Sequence, residues 1–456
     1  MANEGSNPDT KYLVAVIGAG PAGLFAAKAL TESGAEVVLL NRDIKPGGLA
    51  EYGIYHDKHK MKEGLRKQFF QILGIPGIEY MGNVTVGAAS GLRVEDLHTL
   101  GFQAVLVTVG AQGTKWLGLP GEDLAGVYHA KDLVYHYNRL PPFSQREYVI
   151  GQRAALVGVG NVMIDLAHWL IRDLKIEEVI AVARRGPAEV KFTKKEVEAV
   201  ARNLDVEALE AEIDRCAPVM EAVGQDPKAA LDYILSPLPK SLEPNSSTRL
   251  TFDFLASPTR ILGDEQGRVR GLEVEDTTLV PFNGDTKARS LGTYRVLDVD
   301  TVIFCIGDRV DEAFGLPVHR NEFVKNPAPL YPVDGLSFEA YDPELEAPLE
   351  GVFVAGWARE ASSGLVGVAR KDGENGARAV TQYLHAQCDR LSLPEIEDRR
   401  QKLVDLIGLT GKPVVSKQDV FHLNEIEKAE AARRGVEEFK LQMNEEMLEA
   451  LGLRVR

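Results

Sequence analysis

Two glycine-rich turns of one kind, about 140 residues apart, constrain this chain more than anything else in it. The first reads Val16-Ile17-Gly18-Ala19-Gly20-Pro21-Ala22-Gly23, after an apolar run from Tyr12 and before a helix-like run to Leu30. The second reads Leu156-Val157-Gly158-Val159-Gly160-Asn161-Val162, after the apolar Ala154 to Val157 and before an amphipathic stretch reaching Ile171. A glycine pattern alone is a weak signal. Strand, turn and helix in that order give it meaning, because the glycines permit a tight turn and let a pyrophosphate approach backbone N–H groups at a helix N-terminus. Two such turns imply two dinucleotides, with electrons passing from one to the other.

The rest of the chain limits the class. At 456 residues it exceeds the usual size of one core, so two or three domains are expected. No apolar run approaches the roughly eighteen residues of a membrane span. The polar opening, Met1 to Thr10, lacks the apolar core of a secretory signal and reads as a disordered arm over 1–11. A formal charge of −15 disfavours binding to a nucleic-acid backbone. Cys216, Cys305 and Cys388 lie far apart with no CxxC, which fits a reducing, cytoplasmic compartment. The same spacing excludes the paired cysteines of a disulfide reductase and a protein-encoded iron–sulfur cluster. Single electrons, if produced, must leave to a partner.

The first unit is predicted as strand Tyr12–Ile17, helix Ala22–Ser33 and strand Glu36–Leu40. A further buried strand follows at Ala104–Gly110, then a turn-rich connection at Gly118–Asp123. The second unit repeats the pattern with a strand to Val157, a helix Asn161–Asp173 and a strand Glu178–Val182, ending near Thr301–Gly307. A late strand, Gly351–Gly356, has no third glycine turn after it, so the chain is expected to return there to complete the first domain. A helix is predicted from Asn375 to Leu391. The resulting fold class is α/β, with two Rossmann-like three-layer dinucleotide domains, the second inserted in the first. The expected boundaries are 12–110 with 311–392, 111–310, and a mostly helical extension over 393–456.

In such a fold the end of the second strand meets the adenosine ribose, where an acid usually accepts a hydroxyl. The first site has Asn41 there, followed by Arg42 and Asp43. Asn accepts one bond without the strength of a carboxylate. The second site ends its strand with Arg184-Arg185-Gly186, two guanidinium groups and no acid. That composition suits the dianionic 2′-phosphate of NADP(H) and not the bare ribose of NAD(H).

These residues carry a specific match: the chain resembles the adrenodoxin-reductase type of ferredoxin–NADP+ reductase, within the glutathione-reductase-like flavoproteins. Matching segments include Arg184-Arg185-Gly186-Pro187 leading to Phe192-Thr193-Lys194-Lys195-Glu196, and Leu119-Pro120-Gly121-Glu122-Asp123. Gly356-Trp357 and the tail around Glu446-Met447-Leu448 extend the match over nearly the whole chain. A weaker similarity is to the small subunit of glutamate synthase, whose N-terminal cysteine-rich region has no counterpart here. The resemblance implies FAD at the first site, with Gly18, Gly20, Ala22, Gly23, Asn41, Leu49 and Val86 around it. Trp357 and Gly364-Leu365-Val366 would lie by the flavin ring. NADP would contact Gly158, Val159, Gly160, Asn161, Val162, Arg184, Arg185 and Glu196, with Gly364 near the nicotinamide. Departures cluster on the flavin side: Asn41 replaces the usual acid, and Lys58 follows Asp57 where the family has His. Ala361-Ser362-Ser363-Gly364 stands for a Gly-Pro-Thr-Gly-like run.

The implied reaction is hydride transfer between the nicotinamide of NADPH and flavin N5, coupled to one-electron exchange with ferredoxin. No side-chain acid, base or nucleophile is needed for the hydride step. Flavin-side candidates for a proton or hydrogen-bond role are His56, Asp57, His59 and Trp357. No metal is expected, since His56 and His59 lack a third ligand at suitable spacing. An alternative keeps both cofactors and changes the acceptor to a flavodoxin, a quinone or a larger redox complex. A third, prompted by Asn41, is a nucleotide-sensing protein that has lost firm flavin binding.

Overall fold

In the computed structural model, residues 12–361, 366–388, 390–391 and 395–453 are described. Packing divides the chain into two units, one comprising residues up to Thr114, Tyr135–Gln145 and the chain from Gly307 on, the other Lys115–Val134 and Arg146–Ile306. The first opens with β1 (Leu13–Ile17), α1 (Pro21–Glu32), β2 (Glu36–Asn41), α2 (His59–Leu73), β3 (Ile78–Gly82) and β4 (Ala104–Val107). The chain then builds the second unit. Its elements are β5 (Val127–His129), β6 (Arg153–Val157), α3 (Asn161–His168), β7 (Glu178–Val182), α4 (Val206–Glu221) and α5 (Pro227–Leu235). They continue with β8 (Arg249–Asp253), β9 (Ala256–Gly263), β10 (Val269–Phe282), β11 (Asp285–Leu297) and β12 (Thr301–Phe304). The first unit resumes with β13 (Glu339–Asp342), β14 (Ala347–Val354), α6 (Val366–Ala386), α7 (Ile396–Gly408), α8 (Lys417–Arg434) and α9 (Asn444–Ala450).

The first unit is a six-stranded sheet in the order β13-β14-β4-β1-β2-β3, parallel except for β13. Every residue of β1 is buried, as a parallel strand covered on both faces requires. The second unit holds a five-stranded parallel sheet, β5-β12-β6-β7-β8, and an antiparallel sheet, β9-β10-β11. In both parallel sheets the glycine turn leaves the C-terminal end of an inner strand, the edge where open α/β sheets bind ligands.

The βαβ starts fall where the sequence places them, and β7 coincides with the predicted Glu178–Val182. Helix α3 runs on through a wider π-helical turn, Trp169–Leu174. Three differences stand out. Helix α6 begins at Val366 and not Asn375: its first two turns carry Gly367, Gly373 and a charged run and look loop-like, but Asp372 is fixed by Arg359 at 2.6 Å and by the Gly356 N–H at 2.6 Å. The segment expected as a separate extension over 393–456 belongs to the first unit's core, where Leu403, Ile407, Val415, Val420, Leu423, Met447 and Leu448 are buried. Val415 also bridges Gly82 at the end of β3. Finally, the β10–β11 hairpin, absent from the sequence reading, turns at Asn283 (φ 48°) and Gly284 (φ 80°), the left-handed pair of a tight hairpin.

Candidate functional site

The three glycines of the first turn do different things. A Cβ on Gly18 (φ +104°) would sit 2.7 Å from the Thr108 carbonyl at the end of β4, so this glycine lets the turn pass beneath its neighbour. A Cβ on Gly23 would lie 1.9 Å from the Gly18 oxygen, which sets the close approach of α1 to β1. A Cβ on Gly20 would meet nothing within 4 Å. Gly20 is also the N-cap of α1, and no side chain caps the N–H groups that the first turn leaves over. That opening fits a dinucleotide pyrophosphate. Gly47 and Gly48, not singled out from the sequence although Pro46-Gly47-Gly48 is a turn signal, close the rim. The Gly47 N–H donates to Ala19 O at 2.7 Å, and a Cβ on Gly48 would lie 3.2 Å from Gly20 Cα.

The Asn41 carboxamide, at the position expected to face the ribose, is engaged by the protein itself. It is 8% exposed, and its Oδ1 accepts from the Ala19 N–H at 3.0 Å. Its Nδ2 donates to the carbonyls of Asp43 and Lys45 and to the Tyr80 hydroxyl at 2.8–3.1 Å. The carboxamide therefore laces the glycine turn to the loop after β2. A carboxylate could keep the first bond and accept from the Tyr80 hydroxyl, but it has no proton for the two carbonyls. Asn41 is thus part of the framework of this loop. Arg42 is the exposed group at this corner, donating to Gln112 Oε1 at 3.2 Å.

The other flavin-side candidates divide. Ala22 is buried, and Gly356 (φ +67°) is pressed so close that a Cβ there would be 2.7 Å from Ala22 Cβ. Trp357, half-buried on the next position, is thereby held beside the start of α1. Leu49 opens a short helix and packs on Tyr52, Tyr135 and Leu140. The Val86 side chain is in the core. Val366 is the first residue of α6, while Gly364 and Leu365 lie outside the described residues. The His56 ring sits 4.4 Å from Tyr55 and 6.0 Å from Tyr137, and Asp57 is exposed. His59 faces Glu437 at 3.5 Å and Glu438 at 3.9 Å, which makes it a tie to the C-terminal segment.

A buried ion network, invisible in the sequence, fixes the loop that follows β2. The Glu51 carboxylate is met by Arg66 at 2.6 Å, Lys440 at 2.8 Å and Lys45 at 3.7 Å. Glu427 pairs with Lys45, and Glu438 with Arg66 and, at 3.6 Å, with Lys62. Burial pushes the Glu51 carboxyl up, but Lys440, Lys45 and Arg66 outweigh it and hold it well below the usual range. Burial, with help from Lys440, brings the Lys62 ammonium down to about 7.

The second turn repeats the division of labour. A Cβ on Gly158 (φ +117°) would be 2.5 Å from Cys305 O at the end of β12, and one on Gly160 would meet nothing within 4 Å. Met163, fully buried, takes the third position, so α3 stands on a side chain where α1 stands on a glycine. The Lys191 N–H donates to Val159 O and the Thr193 N–H to Asn161 Oδ1, both at 2.8 Å, drawing the 186–193 segment across the turn. Val162 is 45% exposed, and Glu196 is half-buried in the first turn of the next helix.

The two arginines are not equivalent. Arg184 is exposed and, among the described residues, has no acid paired to it. Arg185 lies 3.0 Å from the buried Glu189 and 3.5 Å from Asp285 at the hairpin tip. Glu189 is itself bonded to Gln225 at 2.8 Å and to the Thr286 hydroxyl. Arg185 is therefore a brace between two loops, and Arg184 is the cation free to take an anion.

Residues 12–218 match the pyridine nucleotide-disulphide oxidoreductase family. The chain is 29% identical to the NADPH-ferredoxin reductase FprA of Mycobacterium leprae, over 87% of this chain and 91% of that one. It is 26% identical to the mitochondrial NADPH:adrenodoxin oxidoreductase of Salvelinus fontinalis, over 97% and 92%. The solved structure of Mycobacterium tuberculosis FprA in complex with NADPH superposes with a TM-score of 0.80 at 26% identity, covering 97% of this chain and 99% of that one. No helix among the described residues is long and apolar enough to cross a membrane.

Proposed function

We infer that this chain, a member of the adrenodoxin-reductase type of ferredoxin–NADP+ reductases, is an FAD-dependent oxidoreductase moving electrons between NADPH and a small one-electron carrier of the ferredoxin kind. One observation carries the reading: each of two parallel sheets presents a glycine turn whose second glycine opens on free space at a helix N-terminus. FAD held at the first turn would supply the exchange between one hydride, which carries two electrons, and two single-electron transfers, chemistry that neither unit's side chains provide. In the first unit the Gly18–Gly23 turn and the Gly47-Gly48 rim would hold the FAD pyrophosphate, with Trp357 near the ring and His56 as its hydrogen-bond or proton partner. In the second, the Gly158–Val162 turn would take the NADPH pyrophosphate and Arg184 the 2′-phosphate. Positioning, not acid–base chemistry, is what the protein contributes. Cys216, Cys305 and Cys388 lie far apart in the chain with no CxxC, which supports a reducing compartment, and we place the protein in the cytoplasm.

A visible spectrum followed anaerobically tests the reading. Flavin bands that bleach with NADPH and recover on adding oxidised ferredoxin are the expected result. Bleaching without recovery would move the acceptor to a flavodoxin or quinone. A protein that gains no bands with added FAD would overturn the reading. At the second site, Arg184→Ala removes a charge-assisted contact worth about 1.5–3 kcal/mol. KM for NADPH should rise roughly 10- to 150-fold while that for NADH barely moves. Equal effects on the two coenzymes would refute the 2′-phosphate assignment.

A further inference from the structure

We propose that Asp285, at the tip of the β10–β11 hairpin, is a coenzyme-discriminating residue: an internal anion set against Arg185, which the 2′-phosphate of NADPH meets on entering. The inference rests on the second turn being the NADPH site.

The hairpin turns back at Asn283-Gly284, and Asp285 is the first residue of its return strand. Its carboxylate lies 3.5 Å from Arg185 and its side chain is 71% exposed. The tip cannot swing away freely. The next residue, Thr286, bonds the buried Glu189 through its hydroxyl, and its carbonyl accepts from Arg185 at 3.4 Å. Leu279 on the outgoing strand lies 3.3 Å from where a Cβ on Gly186 would be, so the hairpin is seated on the loop that carries both arginines. That loop belongs to the coenzyme turn, since β7 is the register neighbour of β6 and the Lys191 N–H is bonded to Val159. The Thr286 N–H, followed by Arg185 and Lys191, holds the Asp285 carboxyl below its ordinary value, so it is ionised at neutral pH.

Arg185 and Lys191 thus act on Asp285 from a loop that also carries the exposed Arg184, and the same loop holds a second carboxylate, Glu189. Glu189 is buried and bonded on its far side, so it belongs to the frame. Asp285 is the exposed member. A dianion arriving at Arg184 feels its repulsion and competes with it for Arg185. A coenzyme that lacks the 2′-phosphate feels almost none of this. Asp285 accordingly sets how strongly the site prefers the phosphorylated coenzyme, and keeps the preference below what three cations alone would give.

The test is a charge series in the full FAD-loaded chain, Asp285→Asn and Asp285→Lys. Calorimetry would measure the binding of adenosine 2′,5′-bisphosphate and, as control, adenosine 5′-monophosphate. Because the residue is exposed, both variants are expected to fold. The bisphosphate should bind roughly two- to fivefold tighter at each step, as exposed charge pairs allow. Monophosphate binding should stay constant, and the gain should shrink as salt is raised. The NADPH-to-NADH ratio of kcat/KM should rise in parallel. A flat series overturns the proposal. Arg184→Ala, measured alongside, separates the causes. If it weakens bisphosphate binding while the Asp285 series is flat, only the role of Asp285 falls. If it too changes nothing, the coenzyme site lies elsewhere and both readings fall.

Discussion

Replacing Glu51 by alanine is expected to cost the first unit about 3–5 kcal/mol, the usual consequence of breaking a buried ion pair from one side. Glu51 is 3% exposed and is the common partner of Arg66, Lys440 and Lys45. Without it these cations face one another in a region where water cannot screen them. The nearest remaining acids, Glu427 and Glu438, are already engaged with Lys45, Arg66 and Lys62. The effect has a structural direction. Lys440 also donates to the Glu51 carbonyl at 3.0 Å, so losing the carboxylate should free both the loop after β2 and the C-terminal segment that clamps it. Thermal unfolding and limited proteolysis of the FAD-loaded protein should show a lower midpoint and early cleavage near 437–443. The double variant Glu51→Met with Lys440→Met should recover part of the loss, because it removes a cation together with the anion. A Glu51→Ala protein as stable as the parent would show that the network contributes nothing net.

The second large effect separates binding from folding at the glycine turns. Gly160 has φ −109° and open space where a Cβ would go, so alanine fits the backbone there. As an N-cap change it should cost on the order of 1 kcal/mol of stability. The added methyl occupies the volume through which a pyrophosphate reaches the N–H groups, and each lost charge-assisted bond costs about 1.5–3 kcal/mol. Gly160→Ala should therefore keep its flavin spectrum while KM for NADPH rises on the order of 100-fold. Gly20→Ala is the same experiment on the other unit, with loss of bound FAD as the readout. Gly158→Ala is the contrast: its Cβ would press on Cys305 O at 2.5 Å from a left-handed backbone, so the unit itself should misfold. If Gly160→Ala leaves NADPH binding intact, the pyrophosphate does not sit on this turn.

Much of this was legible in the chain. The glycine turns with their flanking strands and helices are local signals spanning a dozen residues, and the structure follows them closely. The hairpin at Asn283-Gly284 also has a local signal, a strong short-range turn pair between strand-forming runs. The start of α6 carries no clear helical signal because Gly367 sits in its first turn and the second, 370–373, is charged and ends on another glycine. These turns are stabilised by the Arg359–Asp372 pair and by close packing of Gly373 on Ala22, where a Cβ would be 2.1 Å from the backbone oxygen.

The site shows the same limit more sharply. Arg184-Arg185 could be read as a phosphate-binding pair from its place after the second strand. Which arginine is free was decided by Glu189 four residues on and Asp285 a hundred residues on. That the Asn41 carboxamide is bonded to Ala19, Lys45 and Tyr80 is likewise set by residues its own strand does not contain. Glu51 and Lys440 stand 389 residues apart, and no periodicity links them. Glycine patterns and strand–helix alternation are encoded by steric rules acting over a few residues, so the sequence by itself determined the two dinucleotide folds and their insertion. Partner choice among charges is set only when distant segments meet and lose water together, so tertiary structure alone decided which charged and polar groups brace the site and which remain to bind.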